Sequence, residues 1–265
     1  MMGSFMVGQY IPGESLIHRL DPRLKIVMVF IYVIVVFTSE TFISYLVLFA
    51  FAFLSTLLTR IPLKFVIKGL KPVWWLIAIT FVLHVLLTRT GEVWIEIIGF
   101  PIYKESIIQA VKISVRFFLL ILMTTILTLS TTPIAITDAV ESLLHPLKKI
   151  KFPVHELALM MSISLRFIPT LMQEADKISK AQASRGLDFR TGKIKDRVQA
   201  IIPLILPLFV NAFKRAEDLA IAMEARGYQG GEGRTKSREL AFRRRDYIAG
   251  FMFILMMFIY FILTL

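Results

Sequence analysis

An all-α polytopic membrane protein is the fold this sequence predicts, with about five transmembrane helices and three amphipathic helices inserted before the last of them. Three observations carry that expectation. Hydrophobic residues make up 56% of the 265 residues and mean hydropathy is +0.70, against roughly 45–50% apolar residues in soluble domains. The apolar residues gather into runs near the ~20 residues needed to cross a bilayer. The formal charge of +12 is segregated, with sixteen of the 31 Lys and Arg residues between Lys177 and Arg245. A nucleic-acid binder this basic would not need so much continuous apolar sequence, and the charge reads as loops obeying the cytoplasmic excess of Lys and Arg.

The elements follow in order. Residues 1–25 form a cytoplasmic N-terminal segment. They hold Pro12, Gly13, Glu14 and Asp21-Pro22 and lack the apolar centre of a cleavable signal, so the first span is expected to direct insertion. Residues 26–131 carry four spans. Ile26–Thr38 and Phe42–Leu58 are separated only by Ser39, Glu40 and Thr41, which predicts a tight helical hairpin. Val73–Leu87 follows Pro72, a residue suited to a first turn. A strand or interfacial segment is expected around Trp94–Ile98, and Ile107–Leu129 is the fourth span. Lys112 and Arg116 near its outer end are expected to snorkel to the interface. Arg19, Arg23 and Lys25 before the first span, and Arg60, Lys64, Lys68 and Lys71 after the second, place the N-terminus in the cytoplasm. Residues 247–265 form the final span, which leaves the C-terminus outside.

Residues 132–246 are too charged to be embedded in lipid and too apolar to be a tail. Three cytoplasmic helices are read there: Ile136–Leu147, Pro153–Arg185 and Arg197–Arg226. The second bears an apolar stripe at Leu157, Met161, Leu165, Ile168, Met172, Ala175 and Ile178. The third bears one at Ile202, Leu206, Phe209, Phe213, Ala216, Ala220 and Met223. Both stripes alternate steps of three and four, as one face of a helix requires. Pro169, Pro203 and Pro207 are expected to kink or begin these helices. Ala200–Phe213 is apolar enough to dip into the bilayer, but its two prolines and Asn211 favour a helix lying near the surface.

The most specific signal is a repeat. Ala183-Ser184-Arg185-Gly186 is echoed 41 residues later at Glu224-Ala225-Arg226-Gly227, and Ala175-Asp176 and Ala181 are echoed by Ala216-Glu217 and Ala222. Glycine terminates a helix because it accepts the left-handed conformation just past the C-cap. An arginine in the final turn complements the negative end of the helix dipole, and for a single tip that local role suffices. Two arginines at equivalent ends of two similar helices point further, because a guanidinium fork suits bidentate pairing with a carboxylate on a partner. At the N-terminus, Asp21-Pro22-Arg23 reads as a helix start, with Asp21 as N-cap and Pro22 at the first helical position.

With Leu20-Asp21-Pro22-Arg23-Leu24-Lys25, five spans and long helices ending in Ser-Arg-Gly and Ala-Arg-Gly, the chain resembles the transmembrane (T) component of energy-coupling factor transporters, ABC-type importers of vitamins and metal ions. The match runs over essentially the whole chain. The resemblance implies a non-catalytic subunit of the bacterial or archaeal cell membrane, whose two tips dock onto two cytoplasmic ATPase subunits. Its long helices would relay motion to a separate substrate-binding membrane subunit. It assigns ATPase docking to Arg185 and Arg226, with Ala183, Ser184, Gly186, Ala225 and Gly227 shaping the tips. Ser184 stands where the commonest form of the motif has Ala.

No Gly-x-x-x-x-Gly-Lys-Ser/Thr loop occurs in the sequence, so any ATP chemistry is expected from partners. His155-Glu156 lacks the second histidine of a zinc-protease helix, since position 159 is Leu. Cysteine is absent, which removes disulfides and thiolate metal sites. No cofactor, metal or nucleic-acid partner is expected; the lipid bilayer is. Two alternatives remain: a T component dedicated to cobalt or nickel, and, from another class, a secondary transporter binding its own solute. The latter predicts paired intramembrane charges or two repeated sets of spans.

Overall fold

The computed structural model describes residues 10–88, 90–97, 100–186, 194–230 and 240–264. Within them lie eight α-helices and one hairpin. In chain order these are α1 (Pro22–Thr38), α2 (Phe42–Thr59), α3 (Leu63–Leu87), β1 (Val93–Ile97), β2 (Phe100–Tyr103), α4 (Lys104–Ser130), α5 (Pro133–Leu144), α6 (Val154–Ser184), α7 (Ile194–Ala225) and α8 (Arg244–Thr264). A six-residue 3-10 turn, His145–Ile150, follows α5. The strands pair antiparallel, Val93 opposite Tyr103 and Ile97 opposite Phe100, where a short strand was expected. The chain divides into two compact units, one of Gly8–Ala139 with Leu240–Leu265 and one containing Val140–Glu239.

The protein is an all-α polytopic membrane protein. Among the described residues, five helices are long and apolar enough to cross a membrane: α2, α3, α4, α6 and α8. The number is the expected one, but the set is not. At 17 residues α1 sits at the short end of what a bilayer accepts. The additional candidate by length and composition is α6, whose most apolar stretch has a mean hydropathy of 1.2 against 1.9 to 2.3 for the other four. A second difference concerns α3, which starts at Leu63 and carries Pro72 inside it. A proline in a helix interior forfeits one backbone bond, and the helix continues through it. Likewise α6 runs through Pro169, and α7 through Pro203 and Pro207, so none of these prolines begins a helix.

In the unit holding α1–α4 and α8, α4 is the central element, packed by α1, α2 and α3. Leu119, Leu122, Met123, Ile126 and Leu129 form its buried stripe, at the three-and-four spacing of a helix face. Gly69 lets α3 approach closely, because a Cβ there would lie 2.7 Å from Thr125 Cγ2 of α4. The α1–α2 pair departs from a tight hairpin: each helix packs more closely on α4 and α8 than on the other. Between them stand Tyr32, whose hydroxyl donates to the Leu48 carbonyl at 3.0 Å, and Phe51, whose ring centroid lies 5.9 Å from that of Tyr32.

Polar side chains tie this unit together at both ends. At the α1–α2 turn, the Ser39 carbonyl accepts from Tyr45 Oη at 2.9 Å and from Arg116 Nη2 at 3.0 Å. The Ser39 hydroxyl meets Tyr260 Oη at 2.9 Å. Arg116 thus fastens α4 to the turn rather than snorkelling. At the other end, Asp21 is the N-cap of α1, its carboxylate accepting from Arg23 N at 2.8 Å and from Arg23 Nη2 at 2.9 Å. Arg23 also donates to the Leu240 carbonyl and lies over the Phe242 ring. The buried Asp246 carboxylate accepts from Asp21 N and Arg243 N, both at 2.7 Å, which joins the start of α8 to the start of α1. Buried Lys25 donates to the Ser130 carbonyl and the Thr131 hydroxyl, capping the end of α4.

A buried backbone donor stripped of its acceptor costs about 1–3 kcal/mol, more where the lost acceptor was charged. Asp246→Ala orphans two N–H groups, and is expected to lower unfolding stability in detergent by about 2–4 kcal/mol. Asp246→Asn, which keeps one acceptor oxygen, should recover part of the loss. Equal midpoints for wild type and Asp246→Ala in denaturant titrations would contradict this account of the α1–α8 junction.

Candidate helix-tip docking site

The unit containing Val140–Glu239 is built from two long helices, and its candidate site lies at their ends. The first, α6, starts after Pro153 and has Glu156 in its first turn, a favourable place for an anion. His155 Nδ1 lies 3.3 Å from Glu141 Oε1 and holds that start to the end of α5. On the surface of α6, Lys180 pairs with Asp176 one turn earlier at 2.5 Å.

Each tip closes through the glycine geometry. Gly186 has φ +85° and Gly227 φ +74°, the left-handed region an L side chain rarely enters. Nothing lies within 4 Å of a Cβ built on either glycine, so conformation and not crowding calls for glycine there. At the second tip the Tyr228 N–H reaches the Met223 carbonyl at 3.0 Å and the Gly227 N–H reaches that of Glu224 at 2.9 Å. Together these make a Schellman motif. At the first tip the Gly186 N–H donates to Ala183 at 3.0 Å. The arginines differ from expectation by one step: each directly follows the last helical residue, Arg185 as the C-cap of α6 and Arg226 after Ala225. Both are exposed, as are Ala183, Ser184, Gly186, Ala225 and Gly227. Neither guanidinium has a carboxylate partner among the described residues.

One contact joins the two helices and was missed from sequence. Arg215 of α7 forms an ion pair with Glu174 of α6. These positions are themselves separated by the 41-residue repeat, and each precedes its tip arginine by eleven residues. A hairpin folded at the segment joining Ser184 to Ile194 would set residue 174 opposite about 204. The observed partner is eleven positions further on, and α6 and α7 touch over a shorter stretch than α3 and α4 do. The pair marks a level at which the two helices meet. Each tip arginine lies about 16 Å along its own helix from it, at 1.5 Å per residue. The ion pair is partly buried, with side-chain exposures of 34% for Arg215 and 21% for Glu174. The other Glu174 oxygen is buried and accepts no hydrogen bond among the described residues. The repeat offset, applied to charged residues inside the helices, was the signal that finds this pair.

On the N-terminal side of Arg215, α7 leaves a broad apolar face uncovered: Ile202, Leu206, Phe209 and Phe213 are each at least 60% exposed. These four residues of the expected stripe form open surface. Chemically, the unit offers two cationic tips at equal sequence distance from one ion pair, and an apolar face on the opposite side of that pair from the α7 tip. Among the described residues no group of three or more His, Cys, Asp or Glu is placed to hold a metal.

Comparisons with known proteins give the family. A family model described as CbiQ, cobalt transport protein, matches residues 13–237. The chain is 57% identical to the energy-coupling factor transporter transmembrane protein EcfT of Bacillus subtilis (strain 168), over 93% of each chain. It is 50% identical to the EcfT of Listeria innocua, again over 93% of each, and 46% identical to that of Brevibacillus brevis over 98% of each. Family model and relatives lead to one conclusion: the chain belongs to the CbiQ family, as the transmembrane component of an energy-coupling factor transporter.

Proposed function

We propose that this chain is a non-catalytic coupling subunit, which transmits ATP-driven motion from two cytoplasmic ATPase subunits to a separate substrate-binding membrane subunit during vitamin uptake. The observation that carries this reading is the pair of exposed arginine tips, each eleven residues beyond one arm of the Glu174–Arg215 pair, at which we place the crossing of the two helices. Two like ATPases would each receive one tip, with Arg185 and Arg226 pairing bidentately with carboxylates. The small residues Ala183, Ser184 and Ala225 would admit a close fit. Bringing the two ATPases together would rotate the helices about Glu174 and Arg215. The uncovered apolar face of α7 is suited to a membrane-embedded partner, which takes up the motion.

In this reading residues 132–246 lie on the cytoplasmic side and the N-terminus is cytoplasmic, as the basic segments around Arg23 and Lys64 favour. Arg166, Glu174, Asp176, Lys177 and Lys180 keep α6 out of the hydrocarbon despite its length, since each charge at mid-bilayer costs several kcal/mol. The description of the matching family model as a cobalt transport protein favours a second reading, in which the cargo is cobalt or nickel. Uptake of labelled vitamins and of labelled cobalt by cells with and without this chain separates the two.

A charge-assisted hydrogen bond is worth about 1.5–3 kcal/mol, so replacing one tip arginine by Glu is expected to weaken ATPase retention at least tenfold. In the co-expressed complex, Arg185→Glu and Arg226→Glu should each lower retention, and the double variant should abolish both retention and uptake. Wild-type association and uptake in the double variant would refute the docking role.

The crossing makes a separable prediction. Arg215→Ala should leave ATPase retention within twofold of wild type while lowering uptake severalfold. The charge-swapped pair Glu174→Arg with Arg215→Glu should restore uptake. If Arg215→Ala transports normally, the crossing does not transmit motion.

A further inference from the structure

Where α2 ends, one stretch of chain borders two different cavities. The first is an apolar groove of about 400 Å³ along α2 and α8, opened by the splaying of α1 from α2. It begins at Ile17, Leu20 and Leu58 and reaches Val47 of α2 and Ile259 of α8. Leu58 to Val47 is eleven residues of helix, about 16 Å. That is close to half of a hydrocarbon core roughly 30 Å thick, the depth of one leaflet. A partner's transmembrane helix would need a groove twice as long.

The second cavity, about 300 Å³, is polar and is lined by neighbours of the same residues, among them Glu14, Ser15, His18, Thr59 and Arg60. Its internal donors are largely committed. The His18 ring lies between Ser15 Oγ at 2.7 Å and the Ile11 carbonyl at 3.0 Å, and burial holds its imidazole below the ordinary value. The Glu14 carboxylate is paired with Arg19 at 2.7 Å. Arg60 follows the last residue of α2 at φ +53°. Among the described residues no carboxylate pairs with it. A cation at the membrane boundary thus stands beside an apolar groove one leaflet deep.

We infer that these two cavities form one site for a glycerophospholipid, with its phosphate held by Arg60 and an acyl chain lying in the groove between α2 and α8. The two halves of the ligand match the two halves of the site. A guanidinium pairs bidentately with phosphate oxygens, and the groove removes a chain's methylenes from contact with mobile lipid. Ile17 with His18, and Leu58 with Thr59, set the apolar and polar linings side by side. The site lies wholly in the unit of α1–α4 and α8 and uses none of the residues of the docking reading.

Native mass spectrometry of the full-length chain in detergent, titrated with phosphatidylglycerol, tests this. The wild type should retain one lipid at collision energies that strip all others. Ala50 and Ala249 line the groove, so Ala50→Phe with Ala249→Phe should fill it and abolish retention. Arg60→Gln should reduce the retained fraction about tenfold, the worth of one charge-assisted contact. Lys64→Gln, a nearby basic position outside both cavities, should retain lipid as the wild type does. Unaltered retention in the groove-filled variant or in Arg60→Gln would overturn the site, as would the absence of any retained lipid in the wild type. So would a cross-link from Ala50→Cys, a unique thiol in this cysteine-free chain, to another subunit of the assembled transporter.

Discussion

The pairing of Glu174 with Arg215 is the constraint on which the unit of α6 and α7 depends. Among the described residues it is the ion pair that joins two helices of 31 and 32 residues, each about 45 Å long. Because the pair occupies equivalent positions of a repeat, fixing the contact also fixes the two arms beyond it at one length. Symmetry between the tips is then a consequence of sequence spacing and needs no symmetry in the rest of the chain. The cost is a partly buried carboxylate with one unanswered oxygen. Such a group is tolerated only while its cation stays in place, because an unpaired charge in low dielectric is expensive.

The unit of α1–α4 and α8 uses charge for a different purpose. Lys25 sits on the carbonyl end of α4, Arg116 on the Ser39 carbonyl that closes α1, and Arg60 follows the end of α2. Cations there answer the last unpaired carbonyls of a helix and the negative end of its dipole. Asp21 and Asp246 do the complementary work at the amino ends of α1 and α8. Lys25, Arg116, Asp21 and Asp246 each hold a helix end to a neighbour, while the Arg60 side chain pairs with no carboxylate among the described residues. The helix lengths set by the apolar runs are thereby converted into fixed positions.

Much of this was legible in the sequence, because periodicity and end signals are local. The starts and stops of α6 and α7 fall within three residues of the predicted ones. Asp21 caps α1, and both glycines adopt the left-handed turn that their place after Arg185 and Arg226 required. What escaped was long-range. Pro72 looked like a beginning because proline suits a first turn, yet α3 had already started at Leu63 and simply lost a bond. Arg116 looked like a snorkelling side chain because its acceptor, the Ser39 carbonyl, lies 77 residues away in sequence. Asp246 was hidden in a basic run, and its partner Asp21 sits 225 residues earlier. The Glu174–Arg215 pair could have been found, since the repeat that flagged the tips also aligns these two positions.

The central claim is that the arginine tips are two arms about one crossing, moved together by nucleotide. The chain has no cysteine, so Ser184→Cys with Ala225→Cys places exactly two spin labels, one beside each tip. Pulsed dipolar spectroscopy of the assembled transporter then reads the tip-to-tip distance directly. The account predicts a distribution whose centre shifts when ATP is bound and returns after hydrolysis. A distribution indifferent to nucleotide, in a complex that still hydrolyses ATP and takes up its substrate, would contradict it.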